Sequence, residues 1–433
     1  MSASGWPGPA RAERIDLATL LVRAKKNAQV EVARASADGA HAKEDEVSLS
    51  WTPHVEVTVA GGPSPEIRCS PSPEDCTATT PTETRIGFHG AFFRVDGTAY
   101  MPLYTFGKIS SGTRAAEAGA RAADALVGVA EAQAILDAAR AFYGVKLARE
   151  ILIMLDDGLE QLDGEISRVE AALAKGGGEV TESDRRRLRA VRAEVLSRIS
   201  EARKGERIAE AGVRFFAGSD AAEADEQPLA AVEATLPTRD EARARALGRP
   251  EKRAADAAVV ATGELVDVEK ARWLPDIVAV AQGTFARSSS TDDPANAFYN
   301  DPFNVASVSA GVALRWTIDP AVRPAKIAQA RAEEAKARAT ASLARTGMVV
   351  EAEKAWAEAA DARDRLAAAR AGEKEARAWM AATLQSLAAG LGEPRELTDA
   401  LLLYFTTRAR VLQATFDWNV GVIALQRAIG QTP

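Results

Sequence analysis

The sequence predicts a mainly α chain with a small β part, built from one strand–strand–long helical hairpin unit that occurs twice. Three observations predict it. No proline occurs between residues 103 and 227, 325 and 393, or 395 and 432, so long helices can run there unbroken. Apolar residues make up 47% of the chain but aromatics only 6%, an alanine-weighted composition that suits long helices better than a large aromatic core. Trp51-Thr52-Pro53 recurs as Trp273-Leu274-Pro275, and the same offset sets Lys26-Asn27-Ala28-Gln29 against Gly248-Arg249-Pro250-Glu251. Such self-similarity marks an internal duplication.

The first repeat, 14–218, opens with a helix. After Trp-x-Pro, Val55, Val57 and Val59 alternate in a strand over about 54–61, the period-2 pattern of a one-sided strand. A second strand over about 86–100 carries Phe88, Phe92 and Phe93, with Arg94 and Asp96 disturbing its alternation. The following helix, about 110–175, is on the order of 95–100 Å long at ~1.5 Å per residue. Its Leu155, Leu159, Leu162, Ile166, Val169 and Leu173 are spaced 4, 3, 4, 3, 4, a heptad seam. Gly176, Gly177 and Gly178 turn the chain into a returning helix whose Leu188, Val191, Val195 and Ile199 continue the seam. Residues 219–237 are an acidic, alanine-rich linker. The second repeat, 238–430, follows the same order, with strands over about 276–285 and 305–318 and a hairpin turning at Gly390 and Gly392. Its last strand sets Val308, Ala310, Val312, Leu314 and Trp316 on one face and Ser307, Ser309, Gly311 and Arg315 on the other.

Fifty-four basic residues against 61 acidic ones give a net charge of −7, which disfavours nucleic acid as a partner held by charge. Uncharged stretches such as 302–314, of 13 residues, and 378–392, of 15, fall short of the roughly 20 apolar residues of a spanning helix. A membrane protein of this sequence would be a β-barrel, because lipid admits only helices and closed barrels. Four strands of roughly 10 residues match barrel strands in length but cannot close; the smallest membrane barrels use about eight. Several copies would have to share one barrel, and three would supply twelve strands. Residues 1–14 lack the basic and apolar regions of a secretory signal, so the expectation is a cytoplasmic protein or a mature chain whose leader has been removed. Cys69 and Cys76 lie seven apart in a Pro/Ser-rich segment. They form either a disulfide closing an exposed loop, which needs an oxidising compartment, or two free thiols. His41, His54 and His89 show no metal-ligand spacing with them.

Pro102-Leu-Tyr-Thr-Phe-Gly107-Lys-Ile109, Leu314-x-Trp316-x-Ile-Asp319 running to Lys326-Ile327, and the closing Asn419-Val-x-x-Ile-Ala-Leu425-x-x-Ala428-Ile-Gly430 join the paired repeats and their Trp-x-Pro motifs. In this order, over about 16–430, they resemble the TolC-type outer membrane efflux protein family (outer membrane factors). The resemblance implies a homotrimer with a twelve-stranded outer membrane β-barrel on a long periplasmic α-helical barrel. It also implies an exit duct of a tripartite efflux pump or type I secretion system, working with a periplasmic adaptor and an inner membrane pump. The departures are the missing leader, the Pro/Ser loop with two cysteines, and the weaker second strand.

No catalytic arrangement is present: no Ser/His/Asp set, no phosphate loop and no metal cluster, so no enzyme activity, cofactor or metal is expected. Gly178, Val180, Thr181 and Asp184 resemble the helix-turn-helix tip at which family members meet adaptor hairpins. Thr181 with Asp184 three residues on is also a capping-box-like start, and a cap with no further role is the alternative. Glu393, Glu396 and Asp399 stand at the equivalent tip of the second repeat. Threefold symmetry would turn inward carboxylates there into a cation-favouring periplasmic gate, against the alternative of a solvated tip. Arg185-Arg186-Arg187 with Arg189 and Arg192 lie opposite Leu188, Val191 and Val195, the pattern of a solvated or interhelically paired face. A soluble coiled-coil scaffold competes as a reading of the whole chain. It leaves the apolar row of 305–316 with no helix free to cover it. A periplasmic adaptor would need a lipoyl-like or β-barrel domain between the helical halves, where this sequence places strands before long helices.

Overall fold

A computed structural model describes residues 13–69, 82–176, 180–292, 303–389, 391 and 394–431. The elements are β1 (Glu13–Ile15), α1 (Leu17–Ala24), α2 (Ala28–Ser48), β2 (His54–Cys69), β3 (Thr82–Tyr104), α3 (Lys108–Ala174) and α4 (Glu182–Ala217). They continue as β4 (Ala222–Ala224), α5 (Arg239–Ala246), α6 (Pro250–Ala271), β5 (Asp276–Ser288), β6 (Val305–Arg315), α7 (Arg323–Ala388) and α8 (Pro394–Ala428). The run of two helices, two strands, a long helix and a shorter one thus occurs twice. Short polar side chains start the helices. Asp16 accepts from Thr19 N at 3.0 Å ahead of α1, and Asn27 Oδ1 accepts from Val30 N at 3.1 Å at the head of α2. The second repeat opens α5 with a Thr238–Glu241 capping box and α6 with Pro250, a residue suited to the first helical position.

Three strands run longer than their side-chain periodicity predicts. β2 continues to Cys69, β3 starts at Thr82 and ends at Tyr104, and β5 reaches Ser288. The Gly- and Pro-bearing extension of β2 lacks alternation but still pairs with β3 through the backbone, across an irregularity between Ser64 and Glu66. Proline is tolerated there because β2 is an edge strand. β6 ends sooner than predicted, at Arg315, and Trp316 Nε1 donates to Trp273 O at 3.0 Å instead.

The chain divides into two compact units, each drawing on both repeats. The helical unit comprises Met1–Asp38, Arg121–Ala257 and Ala339–Pro433. Leu20, Val30, Ile135, Phe142, Val145, Val213 and Ile423 meet in its largest core cluster. In a second cluster the contact residues are mostly alanine, including Ala242, Ala246, Ala352, Ala359 and Ala428. At Gly212 a Cβ would come within 2.9 Å of Ala141 Cβ, so α3 and α4 approach there as closely as their backbones allow. The segment read as a linker is a strap fixed along α7 and α8. Fully buried Asn419 donates to Ala230 O at 2.8 Å and accepts from Val232 N at 2.9 Å. Trp418 Nε1 donates to Val232 O, and Trp356 Nε1 to Pro237 O. Parallel pairing of β1 with β4 joins the head of the first repeat to the start of the 219–237 segment.

The sheet unit comprises Gly39–Ala120 and Ala258–Arg338. Its strands form one antiparallel sheet in the order β2-β3-β5-β6, which leaves β2 and β6 as edges. Lys108 Nζ ties the head of α3 to the head of β5, donating to Leu274 O and Asp276 Oδ1 at 2.7 Å each.

Candidate functional site

Directly paired residues of an antiparallel sheet point to the same side, so the register sorts the sheet into two faces. One face carries Val55, Val57 and Val59 on β2, level with Ala99, Gly97 and Val95 on β3 and with Ala281, Gly283 and Phe285 on β5. The same rows end on β6 at Ala310, Val308 and Ala306, with Val312 and Leu314 completing that strand's share. Every one of these residues is apolar or glycine. The other face carries the rows Glu56, Thr98, Gln282, Ser309 and Thr58, Asp96, Thr284, Ser307. Arg94 and Asp96, which disturb the alternation in the sequence, both belong to this polar face. There Arg94 bonds Asp96 at 2.6 Å, and Thr284 Oγ1 donates to Asp96 at 2.9 Å. His54 stacks on Tyr100 at 4.8 Å, with the Arg315 guanidinium 5.5 Å from the same ring.

The apolar face is exposed: Val308 is 87% accessible, Val312 70% and Val55 69%. Burying such a row is worth roughly 1.5–3 kcal/mol per valine-sized side chain, and within the chain that gain is not taken. Trp51, Tyr104, Trp273 and Trp316 lie exposed near the strand ends that join the helices, where amphipathic rings suit a lipid–water boundary. No helix among the described residues is long and apolar enough to cross a membrane. The sheet, with one lipid-compatible and one water-compatible face, has the design of a membrane barrel wall.

At the hairpin tip of the helical unit, Thr181 accepts from Asp184 N at 3.3 Å. The Asp184 carboxylate accepts from Thr181 N at 2.9 Å and from its hydroxyl at 2.6 Å. The sequence pattern is therefore a formed capping box with aspartate in the third position. Bonds from the Thr181 hydroxyl and backbone hold the Asp184 carboxyl below the usual carboxylate range. Val180 packs on Ile166, Val169 and Leu188. Gly176 turns the chain at φ 109°, a conformation that favours glycine. Gly178 lies outside the described residues, as do Glu393 and Cys76; Cys69 closes the β2–β3 ladder opposite Thr82. Glu396 is exposed. Asp399 bonds Arg187 at 2.7 Å, which brings the two predicted tip groups together across α4 and α8. Three more of these arginines are engaged: Arg185 with Glu182, Arg189 with Glu170 and Arg192 with Asp163.

Residues 240–431 match the outer membrane efflux protein family model. The fold matches the outer-membrane channel OprN over 100% of this chain and 99% of that one, at 17% identity and a TM-score of 0.76. The CmeC outer membrane channel of Campylobacter jejuni matches over 99% and 90% at 13% identity and a TM-score of 0.76. The MtrE outer membrane channel of Neisseria gonorrhoeae, in its open state, matches over 96% and 89% at 15% identity and a TM-score of 0.75. The second repeat thus carries the outer membrane efflux protein pattern, and the whole chain has the fold of these channels. No curated protein matches it at a significant level. Both likenesses are to a channel with its strands in the outer membrane and its helical portion in the periplasm. Sequence reasoning missed the strap held by Asn419 and the anchor at Lys108, although both residues stand inside the motifs that carry the family likeness.

Proposed function

We propose that this efflux protein is a homotrimeric exit duct serving a tripartite efflux pump or a type I secretion system. Three copies would each give the four strands of β2, β3, β5 and β6 to a shared twelve-stranded barrel, two strands from repeat 14–218 and two from repeat 238–430. The observation that carries this reading is the two-faced sheet with both edges open. Its apolar side needs lipid, and its edge backbone groups need further strands, since unpaired groups in lipid cost several kcal/mol each.

The periplasmic adaptor would meet the tip formed by Gly178, Val180, Thr181 and Asp184, and the inner membrane pump would act through that adaptor. Glu393, Glu396 and Asp399 would guard the periplasmic mouth. Asp399 is engaged by Arg187, so among the described acids of the gate the unneutralised charge falls to Glu396. Cys69 and Cys76 would form a disulfide in the external loop. Expressed behind a secretory leader, the protein should fractionate with outer membranes and run as a detergent-stable trimer. A soluble monomer under the same conditions would overturn the proposal.

A further inference from the structure

The two open edges of the sheet differ in charge. Among the described residues, the polar face of β2 carries one acid within the stretch that pairs with β3 below the irregularity, Glu56, and it has no hydrogen-bond or ion-pair partner in the chain. The polar face of β6 carries one base, Arg315, at its last residue. Arg315 pairs in register with Asp276, whose carboxylate Lys108 engages, and no ion pair forms between the two; the Arg315 guanidinium folds back across β5 to Tyr100. Within one chain Glu56 and Arg315 stand on opposite edges, three strand spacings or about 14 Å apart.

Joining β6 of one copy to β2 of the next fixes how the two edges face each other. A slip of one residue would bring Leu314 and Val312 beside Glu56 and Thr58 and reverse one strand's faces, so only even registers keep apolar with apolar. Both strands meet their helix-linked ends at adjoining positions: β2 begins at His54, and β6 ends at Arg315. With those ends level, Arg315 lies opposite His54 of the neighbouring copy and diagonal to its Glu56. Diagonal neighbours are about 7–8 Å apart, within reach of two long side chains. We infer that Glu56 and Arg315 form an ion pair across the seam between copies, an acid-and-base clasp repeated at each seam. This inference rests on the trimer reading above and names the residues that set its strand register.

The test uses the full chain expressed behind a leader and purified in detergent. Glu56→Arg and Arg315→Glu should each lower the temperature at which the trimer dissociates, and the double exchange should recover at least half of the summed loss. Equal stability of the single variants and the wild type, or a double loss equal to the sum of the single ones, would overturn the clasp. Should a charge exchange block assembly, cysteines decide the matter. Glu56→Cys with Arg315→Cys, in a chain also carrying Cys69→Ser and Cys76→Ser, should give covalent dimers and trimers with a short bis-maleimide that spans the diagonal of about 8 Å. A trimer that does not cross-link overturns the clasp alone. A wild-type chain that is monomeric in the membrane overturns the trimer reading beneath it.

Discussion

The helical unit and the sheet unit hide apolar surface in opposite directions. All four clusters of buried apolar residues among the described residues lie in the helical unit, where Leu20, Ile135 and Val213 are enclosed by their own chain. The sheet unit has none, and its valines on β2 and β6 face outward. The same side chain is therefore a core residue at Val213 and a solvent-matching residue at Val308. What distinguishes them is the medium outside: a periplasmic helix must turn its apolar stripe inward, and a barrel wall must turn it toward lipid.

Truncation inside the helical unit should produce the largest loss. Ile135→Ala removes most of a side chain that is 1% exposed, and such core truncations cost about 2–5 kcal/mol. The expected reading is a lower midpoint for loss of helical circular dichroism in denaturant. An unchanged midpoint would mean that the cluster around Ile135 contributes no stability, and the contrast between the units would collapse.

A paired substitution in the sheet sharpens the contrast further. Val308→Arg places a charge on the outward face, where arginine near the bilayer midplane costs about 2–4 kcal/mol. Ser307→Arg, one residue away on the polar face, should cost far less because that face meets water. The amount of folded protein recovered in the outer membrane should fall for the first and hold for the second. Equal recovery would show that the two faces do not meet different solvents.

How far the sequence exposes each region follows from the range of the interactions that build it. β6 is legible because alternation is local: Val308, Ala310 and Val312 are each two residues apart. β3 is less so, since Arg94 and Asp96 look like interruptions until pairing with Thr58 and Thr284 shows that they share a polar face. At the tip, Thr181 and Asp184 are three residues apart and their capping box is visible in the sequence. The pair Arg187 and Asp399 is separated by 212 positions, and no periodicity links them. The strap over 225–237 is hidden for the same reason. Its bonds come from Trp418, 186 positions from Val232, and from Asn419, 189 positions from Ala230. An acidic, alanine-rich stretch bounded by Pro228 and Pro237 could only suggest a linker there.

The smallest expected effect is a pH dependence confined to the tip, which lies outside both the lipid-facing sheet and the helical core. Bonds from Thr181 lower the pKa of Asp184 in the folded chain, against about 3.9 for an unfolded aspartate. The stabilisation is therefore fully present above the unfolded value and is lost as pH falls through the lower folded value. The amides of the first turn of α4 should show weaker protection from hydrogen exchange at about pH 2.5 than at about pH 5, after correction for intrinsic rates. Asp184→Asn should reduce that difference, because an amide keeps part of the cap without titrating. Equal protection of the wild type at both pH values would show that the capping box does not hold this turn. The tip would then owe its form to the packing of Val180 on Ile166, Val169 and Leu188, the same inward burial that builds the rest of the helical unit.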